Sequence, residues 1–329
     1  LSALYILAHH AYILQFGEGA TGQLTDALLY GHLGVTTFIV LSGLCLGLPL
    51  RQNKPIFYRQ WFKHRCQRIM PPYYGAIAVI GLITATKASL LGFFIPITIN
   101  GMLANLLLLG DVYPNLAKQF SITFWSVCVE FKIYMFFPLL VAAWRRWNIL
   151  GLLVCSTFCA SVAAISQNLL QIPLDYACPW YVIIFAVGIA ISQSNSKCWH
   201  LVSLLGFTCL ASLLYCFPYT QTGALELFKP HLLPIDLAFG LSVGALMGWL
   251  ISKNSNRWLD FKLFKWLAAW SYSLYLIHYP LLKQVNFLLS LVEVRGWQAI
   301  AFETIPVLAC CYLFSLVFER RYAIKEPCH

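Results

Sequence analysis

The chain has 329 residues, of which 60% are hydrophobic and only 10% charged, with a mean hydropathy of +0.72. A soluble domain uses roughly 25% charged residues, so this sequence has too little polar side chain to clothe a water-soluble globule. Its formal charge of +10 sits mostly in short connections between apolar runs, which argues against a nucleic-acid partner and for a membrane protein.

Eleven apolar runs follow one another, at about 1–14, 31–50, 69–86, 90–109, 121–143, 148–166, 176–193, 199–217, 231–251, 266–290 and 299–318. Most approach the roughly 20 residues that a helix needs to cross the hydrocarbon layer. A β-barrel would alternate apolar and polar residues, and that alternation is absent. The expected fold is an all-α, polytopic bundle in one domain over 1–329. The first run starts at Leu1 with neither Met nor a charged flank, so truncation at the N-terminus is expected.

The charges set the number of crossings. If the segment near 90–118 is re-entrant or interfacial, the stretches 51–68, 144–147, 194–198, 252–265 and the tail from 319 share one side. They hold six, two, one, four and three of the chain's 22 Lys and Arg residues. Basic loops mark the cytoplasmic face, which selects about ten transmembrane helices with the C-terminus cytoplasmic. Pro96, Thr98, Asn100, Gly101 and Asn105 make the 90–118 segment less lipid-like, and irregular backbone is acceptable where protein covers it.

Ionisable side chains inside apolar runs are costly and point to function. His9 and His10 lie in LYILAHHAYIL; adjacent helical residues diverge by about 100°, so the two histidines should differ in role. Glu130 in WSVCVEFKIYMFF needs a partner, a proton or water. Lys132, two residues away, points to another face and is a poor intrahelical partner for it. His278, with Ser271, Tyr275 and Lys283, forms a polar stripe suited equally to helix packing and to substrate contact.

In FYRQWFKHRCQRIMPPYY, Arg65 and Arg68 stand three residues apart. They either anchor the loop to anionic lipid heads or form a fork for a phosphate or pyrophosphate. Gly31, Gly34, Ser42, Gly43 and Gly47 punctuate the second run and permit close helix approach. The twelve cysteines are scattered, several inside apolar runs where they serve as small hydrophobes. No Cys/His spacing resembles a zinc site, and no nucleotide loop or GxSxG elbow is present.

Taken in order, LSALYILAHHAY, GHLGVTTFIVLSG, FKHRCQRIMPPYY, WSVCVEFKIYMFFPLL and SYSLYLIHYPLL resemble the acyltransferase 3 family of membrane O-acyltransferases, across nearly the whole chain. The resemblance matches His10 to the family histidine of the first span, whose basic partner, separated from it by ten intervening positions, would precede Leu1. It matches Glu130 to the carboxylate of the WSxxxE pattern, although Phe131 and Lys132 depart from the usual neighbours. It implies that Arg65 and Arg68 receive the phosphorylated end of an acyl-CoA, and that ten spans enclose a tunnel.

The activity it implies is transfer of a short acyl group, acetyl above all, from cytoplasmic acyl-CoA to a hydroxyl of a carbohydrate or lipid-linked glycan. His10 would be the general base and Glu130 would hold its tautomer. Ser42 and Tyr275 are candidate donors to the developing oxyanion, with Ser42, Tyr275 and His278 as substrate contacts or support. Acetyl-CoA or another acyl-CoA is the donor substrate, and no resident cofactor or metal is expected. Membrane lipids are partners, and a bacterial inner membrane is the expected setting. The rival reading is a proton-coupled transporter with His10, Glu130 and His278 as a relay.

Overall fold

A computed structural model describes residues 1–17, 24–52, 56–91, 97–172, 174–194, 198–216, 232–252 and 261–319. The expected connection 218–230, most of 252–265, the tail from 320 and the Pro96 end of the 90–118 segment lie outside the described residues.

The described residues are all-α. They form α1 (Ser2–Phe16), α2 (His32–Gly47), α3 (Tyr58–Leu91), α4 (Ile99–Leu106), α5 (Pro114–Ala117), α6 (Phe124–Leu169), α7 (Leu174–Ala177), α8 (Tyr181–Gln193), α9 (Trp199–Cys216), α10 (Leu232–Ser252), α11 (Lys262–Ala268), α12 (Ser271–Leu291) and α13 (Gly296–Phe318). Short 3-10 turns, Leu24–Leu29 and Leu48–Gln52, flank α2.

Six helices among the described residues are long and apolar enough to cross a membrane: α2 with its following turn, α3, α6, α9, α10 and α13. The protein is therefore an integral, polytopic membrane protein. Of the expected ten or so crossings, these six meet the length and hydropathy of a span among the described residues. At 13 residues, α8 reaches only about 20 Å at 1.5 Å per residue, short of a 30 Å core. The 21-residue α12 is long enough but carries Ser271, His278, Lys283, Gln284 and Asn286, which lower its hydropathy.

Within α6, Trp147 and Asn148 leave helical geometry, Asn148 at φ 53°. A Cβ on Gly151 would meet the carbonyl of Ala143. Residues eight apart in a straight helix stand about 12 Å apart along the axis, so the chain doubles back here into two helical arms, 124–146 and 149–169. Arg145 and Arg146 precede the break, as the charge map expects.

The described part of the 90–118 segment is the eight-residue α4 followed by a fold back onto α6. Thr98 caps α4 by accepting from the Gly101 amide at 3.0 Å. The buried Asn105 donates to the carbonyls of Gly101 and Leu116, and its own carbonyl accepts from the Tyr73 hydroxyl at 3.0 Å. Asp111 takes Lys132 on both carboxylate oxygens at 2.6 Å. Burial pushes the Asp111 carboxyl above the ordinary aspartate range, with the lysine opposing that shift. Lys132 thus serves the loop, not Glu130.

The helices that build the interior meet closely. A Cβ on Gly43 would strike the carbonyl of Phe185, and one on Gly188 that of Val40; α2 and α8 therefore pack backbone to backbone, the use to which small residues are put in membrane helices. Further pairings join α9 to α10, α12 to α13 and α1 to α12. The last of these brings the first described helix against one near the end of the chain.

Candidate functional site: two chambers sharing a wall

Three helices line two cavities with their successive turns. The first, about 220 Å³, is bounded by Ser42, Arg65, Arg68, Glu130, Tyr134 and Tyr272 among others. The second, about 190 Å³, is bounded by His9, His10, His32, Trp125, Asp236 and Tyr279 among others. Val35 and Tyr275 belong to both walls. On α2 the lining passes from His32 to Ser42, ten residues or about 15 Å along the axis. On α12 it passes from Ser271 through Tyr275 to Tyr279, and on α6 it changes between Trp125 and Ser126. The chambers are thus stacked along the helices.

The arginine chamber draws on a local feature of α3. Pro71 and Pro72 lie inside that helix and lack the amide hydrogens that would otherwise reach the carbonyls of Gln67 and Arg68. The turn carrying Arg65 and Arg68 is loosened at that point. Glu319, just beyond α13, accepts from the Ser273 amide at 2.9 Å. Burial raises its carboxyl above the ordinary range, and Arg68 is among the groups pulling it back.

Glu130 accepts from Tyr134, one helical turn on, at 2.5 Å and from Ser42 at 3.2 Å, both through Oε1. Ser42 and Tyr134 also touch each other at 2.7 Å. The carboxylate is therefore partnered, as its depth demands, and it shares a chamber with the arginines.

The histidine chamber has a different logic. Nδ1 of His278 lies 2.9 Å from the carbonyls of both Leu274 and Tyr275. A carbonyl can only accept, so Nδ1 carries the proton, and in the neutral ring Nε2 is an acceptor. That Nε2 is 2.9 Å from His10 Nδ1, so His10 donates there and keeps its lone pair on Nε2. The backbone of α12 thereby sets the tautomer of a residue 268 positions away in sequence.

The expected orienting contact to His10 from Glu130 is accordingly replaced by one from His278, which is fully buried. His9 bonds the Leu28 carbonyl at 2.5 Å and lines the same chamber as His10; the two differ in partner, though not in cavity. Tyr279 packs against His10 with ring centroids 4.8 Å apart and planes tilted by 56°.

Tyr275 stands between the chambers, held by hydrogen bonds to Ser126 and to the Thr123 carbonyl, the latter at 3.1 Å. Sequence reasoning missed Tyr134, His32, Thr36 and Asp236. Tyr134 is legible as the i+4 neighbour of Glu130, and Asp236 as a carboxylate within an apolar run. Among the described residues no three His, Cys, Asp or Glu side chains are grouped to hold a metal ion.

A helical membrane body with a basic chamber at one end and a histidine pair at the other is a plausible frame for moving a group between two bound molecules. The chain matches the family profile described as an acyltransferase domain, acyltransferase 3, over residues 1–318, and it belongs to that family. It is 24% identical to the peptidoglycan O-acetyltransferase OatA of Listeria monocytogenes, over 91% of this chain and 51% of that protein. It is likewise 24% identical to the acyltransferase MdmB of Streptomyces mycarofaciens, over 99% of this chain and 89% of that one. The chain thus spans about half the length of the Listeria protein. No solved structure is a significant match.

Proposed function

We propose that the protein transfers a short acyl group, acetyl in the first instance, from cytoplasmic acyl-CoA to a hydroxyl of a carbohydrate or lipid-linked glycan. The observation that carries this reading is the proton order running from the carbonyls of Leu274 and Tyr275 through His278 to His10, which leaves an imidazole lone pair at Nε2. A general base needs a neutral, fixed imidazole of that kind.

In the proposed reaction the acceptor hydroxyl gives its proton to His10 Nε2 as its oxygen attacks the thioester carbonyl. The C–S bond then breaks, and the departing CoA sulfur takes the proton back from His10. Arg65 and Arg68 hold phosphate oxygens of the donor, the geometry for which guanidinium groups are suited. Ser42, on the arginine side, and Tyr275, on the shared wall, are the proposed oxyanion donors.

The membrane frame belongs to the same proposal. Ten helical segments, counting the two arms of α6 separately and excluding α4, α5, α7 and α11, would cross a bacterial inner membrane as one domain. The turn carrying Arg65 and Arg68 and the basic loops would face the cytoplasm. The name of the Listeria relative, a peptidoglycan O-acetyltransferase, supports a hydroxyl acceptor.

The test is reconstitution of the purified protein in sealed vesicles with acetyl-labelled acetyl-CoA and a lipid-linked glycan extract. Label should appear on the glycan as a base-labile ester. Proton-coupled solute flux with no ester formed would replace this reading with the transporter.

A further inference from the structure

On the wall of the histidine chamber, Asp236 is 1% exposed and is held from two other elements. Its Oδ1 accepts from Thr36 on α2 at 2.7 Å and its Oδ2 from the Trp180 indole at the start of α8 at 2.9 Å. His32 Nε2 lies 3.4 Å from Oδ1. His32 and Thr36 are one helical turn apart, so α2 presents both to the same carboxylate. Tyr181 adds a 3.3 Å contact to Thr36.

Two roles are compatible with a buried carboxylate in such a place. One is glue between α2, α8 and α10, for which any polar network would serve. The division of the cluster argues for more than glue. Thr36 and Trp180 hold Asp236 from behind and do not line the chamber, whereas Asp236 and His32 do. A carboxyl group offers several hydrogen-bonding positions, and among the described residues Thr36, Trp180 and His32 are the groups that approach Asp236. The same chamber has aromatic faces in Trp125, Tyr176, Tyr181 and Tyr279, with Trp125 and Tyr181 stacked at 6.4 Å. Flat apolar faces beside a few fixed polar groups suit a small ring bearing hydroxyls.

We propose that Asp236 and His32 are the acceptor-reading residues of this chamber. They take a hydroxyl next to the one that faces His10, so the chamber selects a ring with neighbouring hydroxyls over a ring with one. This rests on the histidine chamber being the acceptor side, as the proposed function has it. Thr36 and Trp180 are then positioning residues that aim the carboxylate.

The experiment compares trans-1,2-cyclohexanediol with cyclohexanol, rings that differ by one hydroxyl, as ligands of the full chain in lipid nanodiscs, by ligand-observed NMR. The intact protein should prefer the diol by about tenfold, the discrimination expected of one buried hydrogen bond. Asp236→Asn and, should that variant fail to fold, His32→Gln should bring the preference within about twofold of unity. Thr36→Val and Trp180→Phe should lower stability yet retain at least half of the preference.

Equal binding of the two rings by the intact protein, or an unchanged preference in both Asp236→Asn and His32→Gln, overturns the proposal. Equal loss across all four folded variants overturns it too, in favour of glue. Because binding is read without turnover, a diol preference that persists where no acetyl ester forms would leave the reading site standing and remove acyl transfer instead.

Discussion

The two chambers solve opposite problems with the same helices. In the arginine chamber charged groups share a wall: Glu130, held by the hydroxyls of Tyr134 and Ser42, lines it together with Arg65 and Arg68. In the histidine chamber the His10 ring is ordered through two carbonyls and a second imidazole. A site for a highly charged donor needs fixed charge, because phosphates must be drawn from water. A site for proton abstraction needs an imidazole whose lone pair is fixed in place.

That contrast yields its largest expected effect at His10. His10→Ala should slow acyl transfer about 10³-fold, measured by single-turnover ester formation, while acetyl-CoA affinity stays within about twofold. Next in size is His278→Phe, which removes the acceptor for His10 Nδ1. Transfer should fall roughly 100-fold, since a ring of the wrong tautomer presents a proton instead of a lone pair. If His278→Phe behaved like the wild type, the proton order derived from the α12 carbonyls would have no catalytic part.

On the other side of Tyr275, Arg65→Ala with Arg68→Ala should weaken acetyl-CoA binding about 30-fold, two charge-assisted contacts partly offset by screening. Titration calorimetry in detergent reads this directly, and the Km for the acceptor should not move. The smallest effect belongs to neither chamber. Lys132→Met leaves the buried Asp111 without its cation and should lower stability by about 2 kcal/mol, toward the low end for a broken buried pair because Lys132 is partly exposed. A fall in thermal midpoint with normal acetyl-CoA binding would separate this loop from the site.

What the sequence makes legible is the set of expensive residues, not their pairings. His10, Glu130, His278, Arg65 and Arg68 stand out because ionisable side chains in or beside apolar runs carry a cost. Asp236 and His32 meet the same criterion, so finding them needed only its uniform application. Which of these residues touch depends on how α1 meets α12 and α2 meets α10, long-range packing that no local periodicity encodes. Glu130 and His10 therefore looked like natural partners although they line different cavities. The family resemblance, drawn from five motifs, anticipated the profile match over 1–318. The run lengths marked most of the helices, while α8 is shorter than its apolar run because a turn at 179–180 precedes it, which hydropathy does not register.

The most direct test sets the two chambers against each other in one pair of proteins. The acetyl-CoA dissociation constant and the rate of acetyl transfer at saturating donor are measured for His10→Ala and for the Arg65→Ala, Arg68→Ala double variant. With donor capture and proton abstraction divided between the cavities, the first protein binds normally and does not transfer, and the second binds weakly and transfers once saturated. Wild-type transfer by His10→Ala, or a joint loss of binding and transfer in both folded proteins, would contradict that division.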